Sequence, residues 1–278
     1  MRTKRTKRTR HRRRRQLARR SQRRNRQLWL LPLMLVGLAA AALIIWLVFG
    51  LFFDSTEADS EEVACVELLE ADKSGSQADQ AVVDRWQGAA QEAIDRAAAC
   101  EGRLIVETVH ERPGQGQIRE ISFQIDDAVN SLDEQQKREE KIAEAEAVVS
   151  EILSTPAEDL PADLVGAFPA AAAHLEGIEG NPSVRFTYLT DGISSAPPVN
   201  MFELDLSPEG VGLLIELLRP EHLPDCTGWG VSFVGVNTTA GGGGIDPALA
   251  SGAERFWRAY VLACGGDVIS YDVATQSA

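Results

Sequence analysis

No aspartate or glutamate occurs before Asp54, and no charge of either sign between Leu28 and Phe53. The first absence makes the overall net charge of −13 a poor description of any one surface. Fifteen of the 28 Lys and Arg lie between Arg2 and Arg26, leaving 13 basic against all 41 acidic residues from Asp54 onward, a net of −28. The second absence excludes an ordinary solvated helix or loop over Leu28–Phe53. Catalytic signatures are missing too. No G-x-S-x-G, H-E-x-x-H or G-x-x-x-x-G-K pattern occurs, which excludes the nucleophile-elbow hydrolases, the zincins and the P-loop enzymes. Histidine is scarce, with His11, His110, His174 and His222 in unrelated contexts. Each reads as a surface or helix residue rather than a general base. Cysteine is limited to Cys65, Cys100, Cys226 and Cys264, without a Cys-x-x-Cys pair, which argues against a zinc site.

What is present begins with the uncharged run. Its 26 residues would span about 39 Å as a helix, against a hydrocarbon core of about 30 Å, so the run predicts a tilted transmembrane helix. Trp29 and Trp46 lie towards its ends, where indoles favour the interface, and Pro32 is near one end, where a kink costs little. Arg19, Arg20, Arg23, Arg24 and Arg26 flank one side; Asp54, Glu57, Asp59, Glu61 and Glu62 flank the other. The positive-inside tendency therefore places a basic tail, residues 1–27, in the cytoplasm and everything after the span outside. A cleaved signal peptide is disfavoured by the length of the apolar run and the lack of a small-x-small site after Phe53; the length also disfavours a twin-arginine signal at Arg19-Arg20. No aromatic residue interleaves with the tail's charges, so it reads as a topology signal touching anionic lipid rather than as a nucleic-acid ligand.

Residues 54–62 read as a short acidic linker, and residues 63–278 are enough for one sizeable domain. Four cysteines in an oxidising location imply two disulfides, with three possible pairings. The apolar pattern predicts a buried strand at Val63–Ala71, a helix at Ala78–Cys100, and a hairpin of Leu104–Val109 with Ile118–Ile125 around Pro113-Gly114. A charged amphipathic helix follows at Asp133–Ser154, then an Ala-rich helix at Leu164–Leu175 and a strand at Ser183–Thr190. The remainder reads as helix Pro208–Leu218, strand Gly230–Val236, helix Ala248–Cys264 and strand Asp267–Val273. Strands alternating with helices imply a doubly wound α/β fold with a mostly parallel sheet covered on both faces. Right-handed crossovers bring the C-terminal strand ends to one rim, where ligands bind in such folds.

Two of those strand ends carry carboxylates. The first runs into Asp72-Lys73-Ser74-Gly75-Ser76, a D-x-S-x-S loop, and the fourth into Thr190-Asp191-Gly192. A hard divalent cation takes oxygen ligands from short side chains on a tightly turning backbone, and Asp72, Ser74, Ser76 and Asp191 offer that set. Each motif alone is equally compatible with a solvated turn. With the strand Gly230–Val236 and the helix segment Glu254–Tyr260, they make the chain resemble the von Willebrand factor A family, as in its bacterial members, over about Val63–Tyr271.

The resemblance implies a metal-ion-dependent adhesion site, holding Mg2+ or a similar ion such as Mn2+ or Ca2+ at Asp72, Ser74, Ser76 and Asp191. It implies that a protein partner's acidic side chain completes the coordination. One position departs from the pattern: the third loop, Leu160–Gly166, has Ala162 where the family offers Thr, with Asp163 as a substitute ligand. The expectation is a binding module rather than an enzyme. The alternatives are a metal-free scaffold of the same fold and, behind it, a metal-dependent hydrolase, which would need a base that no residue supplies. The same topology puts all four cysteines away from the rim and predicts the pairs Cys65–Cys100 and Cys226–Cys264. Asn237-Thr238-Thr239 fits a glycosylation acceptor, though the stretch through Gly244 reads first as a slack rim loop.

Overall fold

A run of eight buried residues, Cys65–Asp72, forms strand β1, and it carries three acids, Glu67, Glu70 and Asp72. A strand buried on both faces normally reads as a continuous apolar run, so each of these acids must find a partner inside the fold. The computed structural model describes residues 63–72, 80–109, 116–155, 161–236 and 245–273. The chain falls into two compact units, Met1–Ser60 and Glu61–Ala278, and every described residue belongs to the second. The expected tail, span and linker, the loop residues Ser74 and Ser76, the Pro113-Gly114 turn and the 237–244 loop lie outside the described residues. Among those described, no helix is long and apolar enough to cross a membrane.

After β1 come helix α1 (Gln80–Ala99), strands β2 (Arg103–Val109) and β3 (Ile118–Ser122), and helices α2 (Ser131–Ser154) and α3 (Ala167–Leu175). Strand β4 (Ser183–Leu189), helix α4 (Pro208–Leu218), strand β5 (Trp229–Val236), helix α5 (Pro247–Ala263) and strand β6 (Asp267–Val273) complete the order. Local chemistry sets several starts. The Asn130 side chain accepts from the N–H groups of Leu132 and Asp133 to cap α2, and Ser207 and Asp246 cap α4 and α5, each followed by proline in the first turn. Helix α3 starts three residues later than the periodicity predicts, because Asp163 turns back to accept from the Gly166 N–H at 2.9 Å.

The six strands form one sheet in the order β3-β2-β1-β4-β5-β6. All neighbours are parallel except β2 and β3, whose hairpin makes them antiparallel. The sheet separates two cores. On one face Leu69, Ala71, Leu104 and Val106 pack against α1 and α2 through Trp86, Ile94, Val149 and Ile152. On the other, Val66, Leu68, Phe186, Tyr188 and Phe233 meet α3, α4 and α5, where Phe168, Phe256, Trp257 and Tyr260 form an aromatic cluster.

The cysteines lie at the sheet end opposite the rim. Cys65 and Cys100 are joined, with Cα atoms 6.3 Å apart. Cys226 and Cys264 are side by side, the Cys226 N–H donating to the Cys264 carbonyl at 2.7 Å, and both stand as free buried thiols. The structure thus brings the second expected pair together without a bond between the sulfurs. Their mutual hydrogen bond, with burial added, pushes the Cys226 thiol well up.

Candidate metal centre

The strand order reverses between β1 and β4, and in open α/β sheets that switch point opens the crevice where ligands bind. Asp72 ends β1 there, fully buried, and the Thr190–Gly192 turn follows β4 beside it. The Thr190 hydroxyl donates to Asp72 Oδ2 at 2.9 Å and accepts from the Gly192 N–H at 3.0 Å. Asp191 Oδ1 accepts from the Ile193 N–H at 2.8 Å. Although the rim leaves Asp191 partly open to solvent, protein atoms crowd its carboxyl. Burial first, and then the charge of Asp72, push that carboxyl well above the ordinary carboxylate range.

The turn is held from behind. Trp257 of α5 donates its indole N–H to the Gly192 carbonyl at 2.7 Å. Gly192 has φ +82°, and a Cβ there would lie 3.1 Å from Val236 Cγ1 and 3.2 Å from the Tyr271 hydroxyl. The positive φ favours glycine, and the space leaves a Cβ only tight room. The Tyr271 hydroxyl is itself buried and has no hydrogen-bond partner among the described residues.

The third loop reaches the same rim. The Ala162 carbonyl accepts from the N–H groups of Ser195 and Ala196, both at 3.1 Å, and the Ala162 N–H donates to the Ser195 hydroxyl at 3.1 Å. This pins residues 161–166 to the segment after Asp191. Ala162 is fully buried and offers no side-chain oxygen, and Asp163 Oδ1 accepts from the Gly166 N–H. Burial raises the Asp163 carboxyl as well. Of the five expected ligands, then, Asp72 and Asp191 are brought together, Asp163 is turned to its own backbone, and Ser74 and Ser76 lie outside the described residues. Among the described residues no three His, Cys, Asp or Glu side chains converge where they could share a metal ion.

Sequence reasoning missed a second polar cluster beneath the rim. Glu70 of β1 and Glu107 of β2 are register partners on one face, each 2% exposed. His174, on the last turn of α3, places Nε2 2.8 Å from Glu107 Oε2. It is thus a half-buried partner of an acid rather than a plain helix residue. Burial, the Glu107 charge and a hydrogen bond to Glu107 hold the Glu70 carboxyl well above its usual value, and Glu70 Oε2 has no hydrogen-bond partner among the described residues. The signal available beforehand was two acids inside otherwise apolar strands; their pairing required the register. On the opposite face Glu67 meets the same need differently, taking both Nε and Nη2 of Arg96, the latter at 2.8 Å.

The Glu70 carboxyl carries a pH prediction. Its folded pKa lies above the ordinary value of 4.5. Its contribution to stability is therefore complete below that value and is lost as pH rises towards the folded pKa. Glu70→Gln keeps a donor for Glu107 and cannot ionise. Urea unfolding should find the variant close to wild type near pH 4.5 and more stable at pH 8, by on the order of 1–3 kcal/mol. A variant less stable than wild type at pH 8 would contradict the assignment.

No protein-family model matches the chain, and no curated protein does. Among solved structures, the chain is similar to an aerotolerance-related membrane protein from Bacteroides fragilis NCTC 9343 carrying multiple mutations to serines. The identity is 13% and the TM-score 0.38, over 75% of this chain and 92% of that one.

Proposed function

We propose that the chain is a membrane-anchored, extracytoplasmic binding module of the von Willebrand factor A type, which holds a divalent cation at the β1/β4 rim and docks a protein partner's acidic group there. The observation that carries this reading is the Asp72–Asp191 pair. Two carboxylates crowded at a strand-end crevice repel each other, and a cation between them removes that cost. Asp72 and Asp191 would hold the ion, with Ser74 and Ser76 supplying further oxygens from the D-x-S-x-S loop. The bound cation supplies a positive site for a partner's carboxylate. Thr190 orients Asp72, Trp257 fixes the turn that presents Asp191, and Ser195 ties the third loop alongside. The anchor at Leu28–Phe53 would leave the domain within reach of the outer membrane surface, limited by the nine-residue linker to about 30 Å.

The metal-free scaffold has one observation of its own. Ala162 offers no oxygen, and Asp163 is occupied by Gly166. Calorimetry separates the two readings. Titration of the full chain with Mg2+, Mn2+ and Ca2+ should give a saturable heat. Asp72→Ala should abolish it. Absence of any metal-dependent heat in wild type would leave the scaffold reading.

A further inference from the structure

We infer that a groove between the N-terminal ends of α4 and α5 is a second binding site, for an extended peptide segment of a partner protein carrying an apolar side chain next to a carboxylate. The groove has a volume of about 580 Å3, within the roughly 300–1,000 Å3 range of sites that hold small ligands. Its walls are apolar, chiefly Met201, Leu204, Leu206, Pro208 and Leu249. Among the described residues, Arg255 is the one charged residue lining it.

That arginine is placed unlike its neighbours. Arg258, a turn further along α5, pairs with Glu254 at 2.8 Å. Arg255 donates to the Leu206 carbonyl and makes no ion pair among the described residues, in a part of the chain where acids outnumber bases three to one. Asp205 and Asp246, at the entries to the two helices, are committed to their own caps. Asp205 accepts from the Ser207 N–H and hydroxyl, both at 2.9 Å, and Asp246 accepts from the Ala248 and Leu249 N–H groups. A guanidinium has five donors in a planar fork suited to a carboxylate. The apolar walls reward a side chain such as leucine, whose burial contributes on the order of 2 kcal/mol. A purely apolar ligand would cover Arg255 without pairing it, and a free anion would leave the walls wet, so the two features together select an acidic-apolar segment.

The groove is continuous with the rim along the chain. The Met201 N–H donates to the Ser194 carbonyl at 2.9 Å, and Trp257, two residues beyond Arg255, holds Gly192. The site nevertheless stands without a cation, so it does not rest on the metal reading and is tested in its absence.

The experiment uses the full chain in detergent micelles with EDTA, empty micelles as the blank, and two capped peptides, Gly-Leu-Asp-Leu-Gly and Gly-Leu-Asn-Leu-Gly. Calorimetry should show saturable binding of the Asp peptide, with a Kd on the order of 1 mM or tighter. Loss of the carboxylate in the Asn peptide should weaken it about tenfold. Arg255→Gln should remove the difference between the two peptides. Ser251→Trp, at an exposed lining position, fills the groove without touching the core and should abolish binding of both; it decides the matter if Arg255→Gln fails to fold. Equal affinity of wild type for the two peptides, no saturation, or unchanged binding by Ser251→Trp overturns the proposal.

Discussion

Trp257→Ala is expected to lower the unfolding free energy by about 3–5 kcal/mol. Trp257 is fully buried. Its ring lies among five others: Phe256 at 5.0 Å between centroids, Phe233 at 5.3 Å, Tyr260 at 5.9 Å, Phe168 at 6.0 Å and Tyr188 at 6.3 Å. Rings contributed by α3, β4, β5 and α5 cannot collapse together to fill the space, because each is fixed to its own element, so most of the cavity would persist. The cost includes a second part, since the Gly192 carbonyl loses its indole donor.

Trp257→Phe separates the two parts. It keeps an aromatic ring in the cluster and removes the hydrogen bond, and should cost about 1–3 kcal/mol. Because Gly192 sits next to Asp191, the Phe variant should also weaken the proposed cation binding by more than its stability loss implies. Urea unfolding followed by circular dichroism measures the first quantity and calorimetry the second. A loss below about 1 kcal/mol for Trp257→Ala would mean that the ring does not hold the α5 face together.

Breaking the Cys65–Cys100 bond should cost nearly as much. The bond closes a loop of 35 residues, and the chain-entropy account assigns about 4 kcal/mol to a loop of that length. It ties the first residue of β1 to the end of α1, and the turn between α1 and β2 is built around it. A Cβ on Gly102 would lie 2.5 Å from the Cys65 sulfur and 2.3 Å from the Cys65 carbonyl oxygen. Cys65→Ser with Cys100→Ser, or reduction of the native chain, should lower the Tm by on the order of 10 °C. Alkylation of the unfolded, unreduced chain distinguishes the second pair: modification at both Cys226 and Cys264 matches the free thiols, and modification at neither means that they also form a disulfide.

Strand β1, with its apolar run and its three acids, divides what sequence and structure each supplied. Helix α4 and strand β6 fall on the expected residues, and the other elements shift by a few positions at most. Their limits have local causes: apolar period, capping side chains and proline in the first turn. The hairpin likewise predicted that β2 and β3 would run antiparallel to each other. The expectation that Asp72 and Asp191 meet also came from sequence, because parallel strands joined by helices must bring their C-terminal ends together. The anchor expected from charge alone, at Leu28–Phe53, lies outside the described residues.

Tertiary structure decided the partners. A period of two assigns Glu70 to a face of the sheet but says nothing of Glu107, because register is set by the packing of whole strands. The Thr190–Asp72 hydrogen bond spans 118 positions and the Trp257–Gly192 bond 65. Asp163, a ligand candidate by its place in the loop, is claimed by the Gly166 N–H at the entry to α3. Arg255 is one more exposed-face arginine in the sequence; only the meeting of the α4 and α5 ends makes it the charge in an apolar groove. Local patterns report which way a side chain faces, whereas its neighbour across the core depends on contacts between residues far apart in the chain, which no local period encodes.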